Sequence, residues 1–493
     1  MRIEDKINIF LRKLRNLSLL PDETYKQLFI SGSGPGILYG LPKIHKDNFN
    51  TQFQFRPIFA AYNTAPYKLA KFLVPILAPF TKNCFTTENS YSFVRDVRAI
   101  KNANKLYMTS LDVENLFTNI PLHETIQICL NYLFPLPNSL VLGLNRKFFQ
   151  TLLEHSVLNS FFIFSNTLYK QIEGLGMGLP LGPTFANIFM CFHEKQWLAD
   201  CPSAFKPVFY RRYIDDTFVL FKNPSHATLF LDYLNEKHCN IKFTMECETN
   251  DALPFLDTKV CRKNNAFDTT VYRKPSFTGL GMSFFSYCCD RFKINAMKTL
   301  LFRAYNISSN YFIMHDEFKF LENYFTNNGF PKCLFIKNVK NFLSTALSAQ
   351  TVANVPHSDA QFFSLPFFGP QSEKLKHELR ILLKKYFPHV DFKIVLTNNF
   401  RIRSMFKFKD TLPLCARTAV IYKYQCSQCS DAKYIGSTYR TFHTRLSEHK
   451  GVSSRTGARL TAPPHSAIRH HAEHTCSTSV LDKNFTILDY CAN

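Results

Sequence analysis

With 493 residues, the chain is long enough for several domains, and 46% hydrophobic residues exclude wholesale disorder. Lysine and arginine number 59 against 37 acids, a formal net charge of +22, which favours a polyanionic partner such as nucleic acid over acidic metabolites. Fifteen cysteines follow no disulfide framework and residues 1 to 20 mix acids and bases rather than forming a signal peptide, so a reducing intracellular compartment is expected.

Residues 1 to 30 read as a basic amphipathic helix, closed by the loop Ser31-Gly32-Ser33-Gly34-Pro35-Gly36. The most apolar stretch, Leu69 to Phe80, is short and holds Lys71, Pro75 and Pro79, so no membrane span is expected. Up to residue 310, strand-like runs alternate with helical patterns: a strand over Leu106 to Val113, helices over Leu122 to Leu133 and Thr184 to Leu198, and a strand–turn–strand hairpin over Phe209 to Phe221. This predicts an α+β body. Residues 290 to 350 look helical, with Leu300, Leu301 and Tyr305 at helical spacing. Phe368 to Arg417 is dense in lysine and arginine and reads as a basic connector, opening with an amphipathic helix over Ser372 to Tyr386. The last segment, Thr418 to Asn493, brings a Cys-x-x-Cys, a glycine turn and many histidines.

The hairpin carries Tyr213-Ile214-Asp215-Asp216 at its tip. An acidic turn is common in α/β proteins, so the pair needs a third carboxylate to point to a metal. Asp112 supplies it, delivered by a strand-like run just before the irregular segment Glu114 to Pro121. Three converging carboxylates can hold two divalent ions about 3.5–4 Å apart, and without metal they repel one another. Between the acidic blocks, Gln171 to Pro183 is a glycine-proline loop entering a helix, with a backbone able to approach a nucleotide or template closely.

These blocks, in this order, resemble the palm and fingers of a reverse transcriptase. With Tyr39-Gly40-Leu41-Pro42-Lys43-Ile44-His45-Lys46, Arg56-Pro57-Ile58, Asp112 to Pro121 and Val271-Tyr272-Arg273-Lys274-Pro275, residues 35 to 310 resemble the Penelope-like retroelement proteins. The resemblance implies a right-hand polymerase of fingers, palm and thumb, with two Mg2+ ions on Asp112, Asp215 and Asp216. It implies that Phe117 excludes a ribose 2′-hydroxyl and that Lys43, Lys46 and Arg56 face triphosphate or template phosphates. Gln171, Gly178 and Pro180 would line the nucleotide and template, Leu179 would stand where a small hydroxyl residue is usual and crowd the template, and Arg273 and Lys274 would belong to the primer grip. Asp257, in the next palm strand pair, is expected to be structural.

In the last segment, Ile421-Tyr422 and Tyr434-Ile435-Gly436 are followed by Arg445 and His449, four apart and hence on one face of a helix. The pattern resembles a GIY-YIG endonuclease module, a small α/β domain that the same retroelement family carries after its polymerase. Val420 stands where the first motif's glycine would be. The resemblance implies that Tyr422 or Tyr434 assists the attacking water, Arg445 stabilises the scissile phosphate and His449 moves a proton. It places a metal-binding glutamate on a helix beyond residues 485 to 489, past Asn493, so the nuclease metal site is expected to be truncated and nicking weak; Glu473 does not match that position. Cys426 and Cys429 with His471 and either His474 or Cys476 are of the right kind for a structural Zn2+ site.

The expected organisation is therefore an N-terminal helical extension (1–34), reverse transcriptase fingers and palm (35–285), a helical thumb-like region (286–367), a basic connector (368–417) and a GIY-YIG-like domain (418–493). The expected function is RNA-directed DNA synthesis in target-primed reverse transcription. Its partners would be an RNA template, a DNA primer or target and deoxynucleoside triphosphates, and no membrane; its site of action would be the nucleus. Two other readings stay open: a degraded element copy that binds nucleic acid without catalysis, and a repair-type nuclease.

Overall fold

The computed structural model describes residues 3–42, 54–348, 360–398, 412–429, 431–463 and 465–490. Lys43 and Lys46 lie outside the described residues.

The N-terminal extension is two helices where one was expected. Ile3–Asn16 starts with Glu4 and Asp5, ends with Lys13 and Arg15, and buries Ile7, Leu11 and Leu14. Ser18 then turns left-handed, and Pro21 precedes the second helix, Asp22–Leu28. The buried Asn8 amide donates to the Ile30 carbonyl (2.7 Å) and accepts the Ile30 N–H (3.0 Å), so the chain is tied down before the glycine loop.

Two sheets form the front of the body. In the first, Gly36–Pro42 pairs antiparallel with Phe55–Ala60 and parallel with Phe161–Phe164, which pairs with Thr167–Lys170. The second is antiparallel, in the order Phe209–Tyr213, Asp216–Phe221, Tyr107–Val113, Phe243–Cys247. Its central strands, Tyr107–Val113 and Asp216–Phe221, are largely buried on both faces, which explains the apolar run of Asp216–Phe221. Leu111, Val113, Val219 and Phe221 belong to the main core with the helices Leu122–Leu133 and Gly182–Ala199. Met108, Phe218 and Leu220, of the opposite parity, pack on Phe93, Val97 and Phe255 in a second core. Asp112 and Asp216 share the parity of that second face.

Behind the second core stands the three-stranded sheet Ala252–Phe255, Thr258–Lys263, Ala266–Val271. The helices Asp290–Ile307, Tyr311–Asn327 and Lys332–Ser348 then build their own core from Met297, Leu301, Phe318, Leu321, Phe325 and Phe335.

The basic connector proves to contain folded structure. Gln361–Pro366 pairs in parallel with Phe392–Thr397, and the helix Pro370–Tyr386 joins them in a β–α–β unit that straddles the expected boundary at 367. Short isolated strands carry little pattern of their own, and these two are paired with each other along their whole length. In the last segment, Val420–Gln425 is the central strand between Lys433–Thr438 and Phe485–Tyr490, covered by Phe442–Lys450 and Ala467–His470. Arg455 pairs with Asp5 at 3.0 Å, joining this domain to the N-terminal helix. Among the described residues no helix is long and apolar enough to cross a membrane.

Candidate active sites

The acidic hairpin closes on the pair Tyr213↔Asp216, leaving Ile214 and Asp215 as the turn. Ile214 has φ +59°, a left-handed conformation costly for a β-branched residue. Asp112 lies directly across the sheet from Asp216, and the Asp215 carbonyl accepts the Val113 N–H at 3.2 Å. The three acids thus meet through the register of two strands. Burial and then the charges of Asp215 and Asp112 push the Asp216 carboxyl up to about 6, Glu246 adds to the rise, and Lys274 opposes it. Glu246 was missed from the sequence; it sits opposite Ser110, on the face that carries Asp112. An all-carboxylate donor set under mutual repulsion fits hard divalent cations.

The glycine-proline loop is wedged between two elements. Phe59 donates its N–H to the Met177 carbonyl (2.8 Å), and Leu175 donates to Phe117 (2.6 Å). Gly178 has φ +130°, and a Cβ there would overlap the Phe59 carbonyl oxygen. A Cβ on Gly182 would lie 3.8 Å from the Phe117 ring. The loop carrying Gln171, Gly178 and Pro180 is thereby set beside Phe117 and the strand that holds Arg56. Gln171 spends its amide donor on the Glu173 carbonyl at 2.9 Å. Leu179 corrects the expectation of a crowded template: it is 2% exposed and anchors the loop in the core, because the turn points it inward.

Arg273, expected at the primer grip, has a protein partner in this structure. Its guanidinium forks onto Glu317 of the helix Tyr311–Asn327 and lies 3.7 Å from the Phe320 ring centroid, so two of its donors tie it to that helix. The partner lies 44 residues away, beyond the reach of local spacing. Asp257 pairs with Arg303 at 2.8 Å. Glu124 draws together His193 (2.8 Å) and His238 (3.2 Å), an arrangement reminiscent of a metal site. However, His238 Nδ1 accepts the Asn240 N–H at 3.1 Å, so its neutral ring carries the proton on Nε2 and donates to Glu124. A metal on Nε2 would require Nδ1 to become a donor facing another donor. The trio is a hydrogen-bonded tie between helices.

In the last domain, Tyr422, Arg445 and His449 converge. The Tyr422 hydroxyl meets His449 Nε2 at 2.7 Å and accepts from Arg445 Nε at 3.0 Å. Arg445 donates also to Glu448 at 2.9 Å, and His449 Nδ1 meets Ser466 Oγ at 2.7 Å. Tyr434 flanks the group, its ring centroid 6.3 Å from that of Tyr422. Burial, then the Arg445 charge, hold His449 down at about 4, so its imidazole is neutral at pH 7. Because Arg445 already donates to the phenol oxygen, the Tyr422 O–H is left to donate to His449, a geometry suited to proton removal. Burial raises the Tyr422 phenol, while Arg445 opposes that rise. Glu448 and Ser466 went unnoticed in the sequence, since neither belongs to the tyrosine motifs. Glu473 pairs with Arg469 at 2.9 Å.

Cys426, Cys429, His471 and Cys476 bring their ligand atoms within 4.8 Å of one another. Cys476 is thus the fourth member, and His474 instead packs its ring against His470 at 4.6 Å. The backbone N–H groups of Cys429 and Gln428 lower the Cys426 thiol to about 6. A preformed thiolate in a set of three sulfurs and one imidazole fits tetrahedral Zn2+.

Residues 44–248 match the family described as reverse transcriptase (RNA-dependent DNA polymerase), and residues 282–341 match the animal helix-turn-helix domain. The second match covers most of the helices from Asp290 to Ser348. No curated protein matches the chain. Among solved structures, it is similar to telomerase from Candida albicans, solved in complex with a TWJ fragment of telomeric RNA (12% identity, 66% of this chain and 61% of that one, TM-score 0.44). It is also similar to apo telomerase from Candida tropicalis (12% identity, 64% and 58%, TM-score 0.38) and to the Sicinivirus RNA-dependent RNA polymerase (11%, 66% and 71%, TM-score 0.38). The chain spans about three fifths of the length of the telomerases it matches. Asp112, Asp215 and Asp216 all fall inside the first family match, and residues 44–248 therefore make up a reverse transcriptase domain.

Proposed function

We propose that the protein is the RNA-directed DNA polymerase of a Penelope-like retroelement, joined to a GIY-YIG-type nuclease module, and that it acts in target-primed reverse transcription. The observation that carries the polymerase reading is the cross-strand pairing of Asp112 with Asp216, beside Asp215, within the reverse transcriptase match. Asp112, Asp215 and Asp216 would hold two Mg2+ ions, which when bound supply activation of the primer 3′-hydroxyl and charge neutralisation at the leaving pyrophosphate. Phe117 sits under the sugar and excludes the 2′-hydroxyl of a ribonucleotide. Arg56, with Lys43 and Lys46, binds phosphates of the triphosphate or template, and the backbone around Gly178 and Pro180 approaches the template. Lys274 offsets the acidic charge beside the primer end.

The nuclease reading rests on the cluster of Tyr422, Arg445 and His449. The Tyr422 hydroxyl orients the attacking water and relays its proton to His449 as the water attacks phosphorus, and Arg445, shared between Tyr422 and Glu448, turns to the scissile phosphate. Zn2+ on Cys426, Cys429, His471 and Cys476 would staple the two ends of this domain. A cut in target DNA frees the 3′-hydroxyl that the polymerase extends on element RNA, which places the work in the nucleus.

The deciding experiment is extension of a DNA primer on an RNA template with Mg2+. Wild type extends it and Asp215→Asn does not; equally little synthesis by both would establish a nucleic-acid-binding protein without catalysis. Nicking of duplex DNA that disappears in Tyr422→Phe and Arg445→Ala would support the nuclease. Nicking that persists in both would refute the assigned cluster.

A further inference from the structure

The hairpin that carries Asp215 and Asp216 is anchored from beneath by one buried cation. Arg212, immediately before Tyr213, is fully buried (0% exposed), as is its partner Glu194 (1%). Its Nε donates to Glu194 Oε1 (2.9 Å) and Nη2 to Glu194 Oε2 (3.2 Å) and Cys191 Sγ (3.3 Å). Its Nη1 donates to Asn187 Oδ1 (3.0 Å) and to the Ile214 carbonyl (2.9 Å). Five N–H bonds thus meet five acceptors, the full complement of a guanidinium. Asn83 also donates to Glu194 Oε2 at 2.9 Å, and the backbone of Arg212 is held by Phe85 and Thr87.

We propose that Arg212 is a positioning residue for metal binding: it holds the Ile214 carbonyl inward and so fixes the turn from which Asp215 and Asp216 project. Glu194 and Asn187 aim it from the helix Gly182–Ala199. The inference rests on reading Asp215 and Asp216 as polymerase metal ligands. A buried ion pair is weak evidence of a purely stabilising role, because well-packed apolar residues often serve stability equally well. An apolar pair cannot donate to the Ile214 carbonyl. That contact matters because Ile214 sits at φ +59°, where an isoleucine stays only if its surroundings hold it. Rotation of the 214–215 peptide would release the strain and swing Asp215 away from Asp112. The helix that supplies Glu194 and Asn187 begins at the glycine loop pressed against Phe59 and Phe117. The loop on the nucleotide side and the metal turn are therefore two ends of one rigid element.

The test compares full-length wild type, Arg212→Lys, Arg212→Met and Arg212→Met/Glu194→Met by Tm and by the Mg2+ concentration for half-maximal extension. Asp215→Asn in the same assay separates failure of the polymerase reading, since that reading fails if wild type and Asp215→Asn behave alike. Arg212→Met alone leaves a bare buried carboxylate and should lower Tm. The double variant should recover most of the Tm yet need about tenfold more Mg2+, as expected when a residue orienting a metal ligand is lost, with the nucleotide KM changed less than about twofold. Arg212→Lys, which pairs with Glu194 but cannot fork to Ile214, should keep its fold and show the same raised Mg2+ requirement. Recovery of Tm and Mg2+ dependence together in the double variant, or a wild-type Mg2+ requirement in Arg212→Lys, would overturn the proposal.

Discussion

Asp216 is a carboxylate placed against its own ionisation, since burial and the neighbouring acids raise it to about 6. Asp216→Asn should therefore raise the Tm of the metal-free protein by a few degrees while abolishing primer extension, a trade of stability for function measurable by melting in EDTA. His449 poses the opposite problem. Its folded value of about 4 lies below the ordinary 6.5, so between those values the unfolded chain binds a proton that the folded domain refuses. The stability of residues 418–490 should fall as pH drops through that window and level off below it. Hydrogen exchange of the strand Val420–Gln425, corrected for intrinsic rate, should show protection lost from pH 7 to pH 5 in wild type and a smaller loss in His449→Gln.

At the scale of elements, the glycine loop is held both by the buried Leu179 and by close backbone contact with the Phe59 strand. Gly178→Ala must relieve both φ +130° and the overlap with the Phe59 carbonyl, and should cost about 1–3 kcal/mol in urea unfolding, with extension impaired on every template. The cysteine–histidine cluster makes a sharper statement about identity. If the proposed Zn2+ sits there, Cys476→Ser should lose it and His474→Ala should retain it, because Cys476 Sγ lies 3.0 Å from Cys429 Sγ and 3.4 Å from His471 Nε2. Metal content by mass spectrometry reads this directly. The β–α–β unit of residues 361–397 shows what local pattern misses: its helix was legible from amphipathic spacing, but its strands depend on a parallel partner 31 residues away.

Across the whole molecule, the three-helix unit is latched to the polymerase body by Arg273 on Glu317, Arg303 on Asp257 and Arg98 on the Ile307 carbonyl. Glu317→Gln leaves the Arg273 fork without a charged partner at a site where Glu317 is 7% exposed. Faster proteolysis between residues 275 and 290 is expected, with shorter products per binding event. Unchanged cleavage and product length would show that the apolar contacts alone hold the unit. The net charge of +22 predicts that template binding weakens steeply with salt in wild type and variant alike.

The sequence by itself marked out the three carboxylates Asp112, Asp215 and Asp216, the strand–helix order around them and the tyrosine–arginine–histidine pattern near the end. Each is a local signal: an apolar run broken by an acid, a glycine run before a helix, or two residues four apart. Only the tertiary structure decided that Leu179 faces the core, that Arg273 pairs with a helix, that Cys476 and not His474 joins the sulfur-rich cluster, and that Arg212 donates to the Ile214 carbonyl beneath the acidic turn. These outcomes depend on partners brought close by the fold, such as Glu194 beneath Arg212 and Glu317 beside Arg273. A buried charge is assigned by whichever opposite charge packing delivers to it, and spacing along the chain carries no record of that delivery.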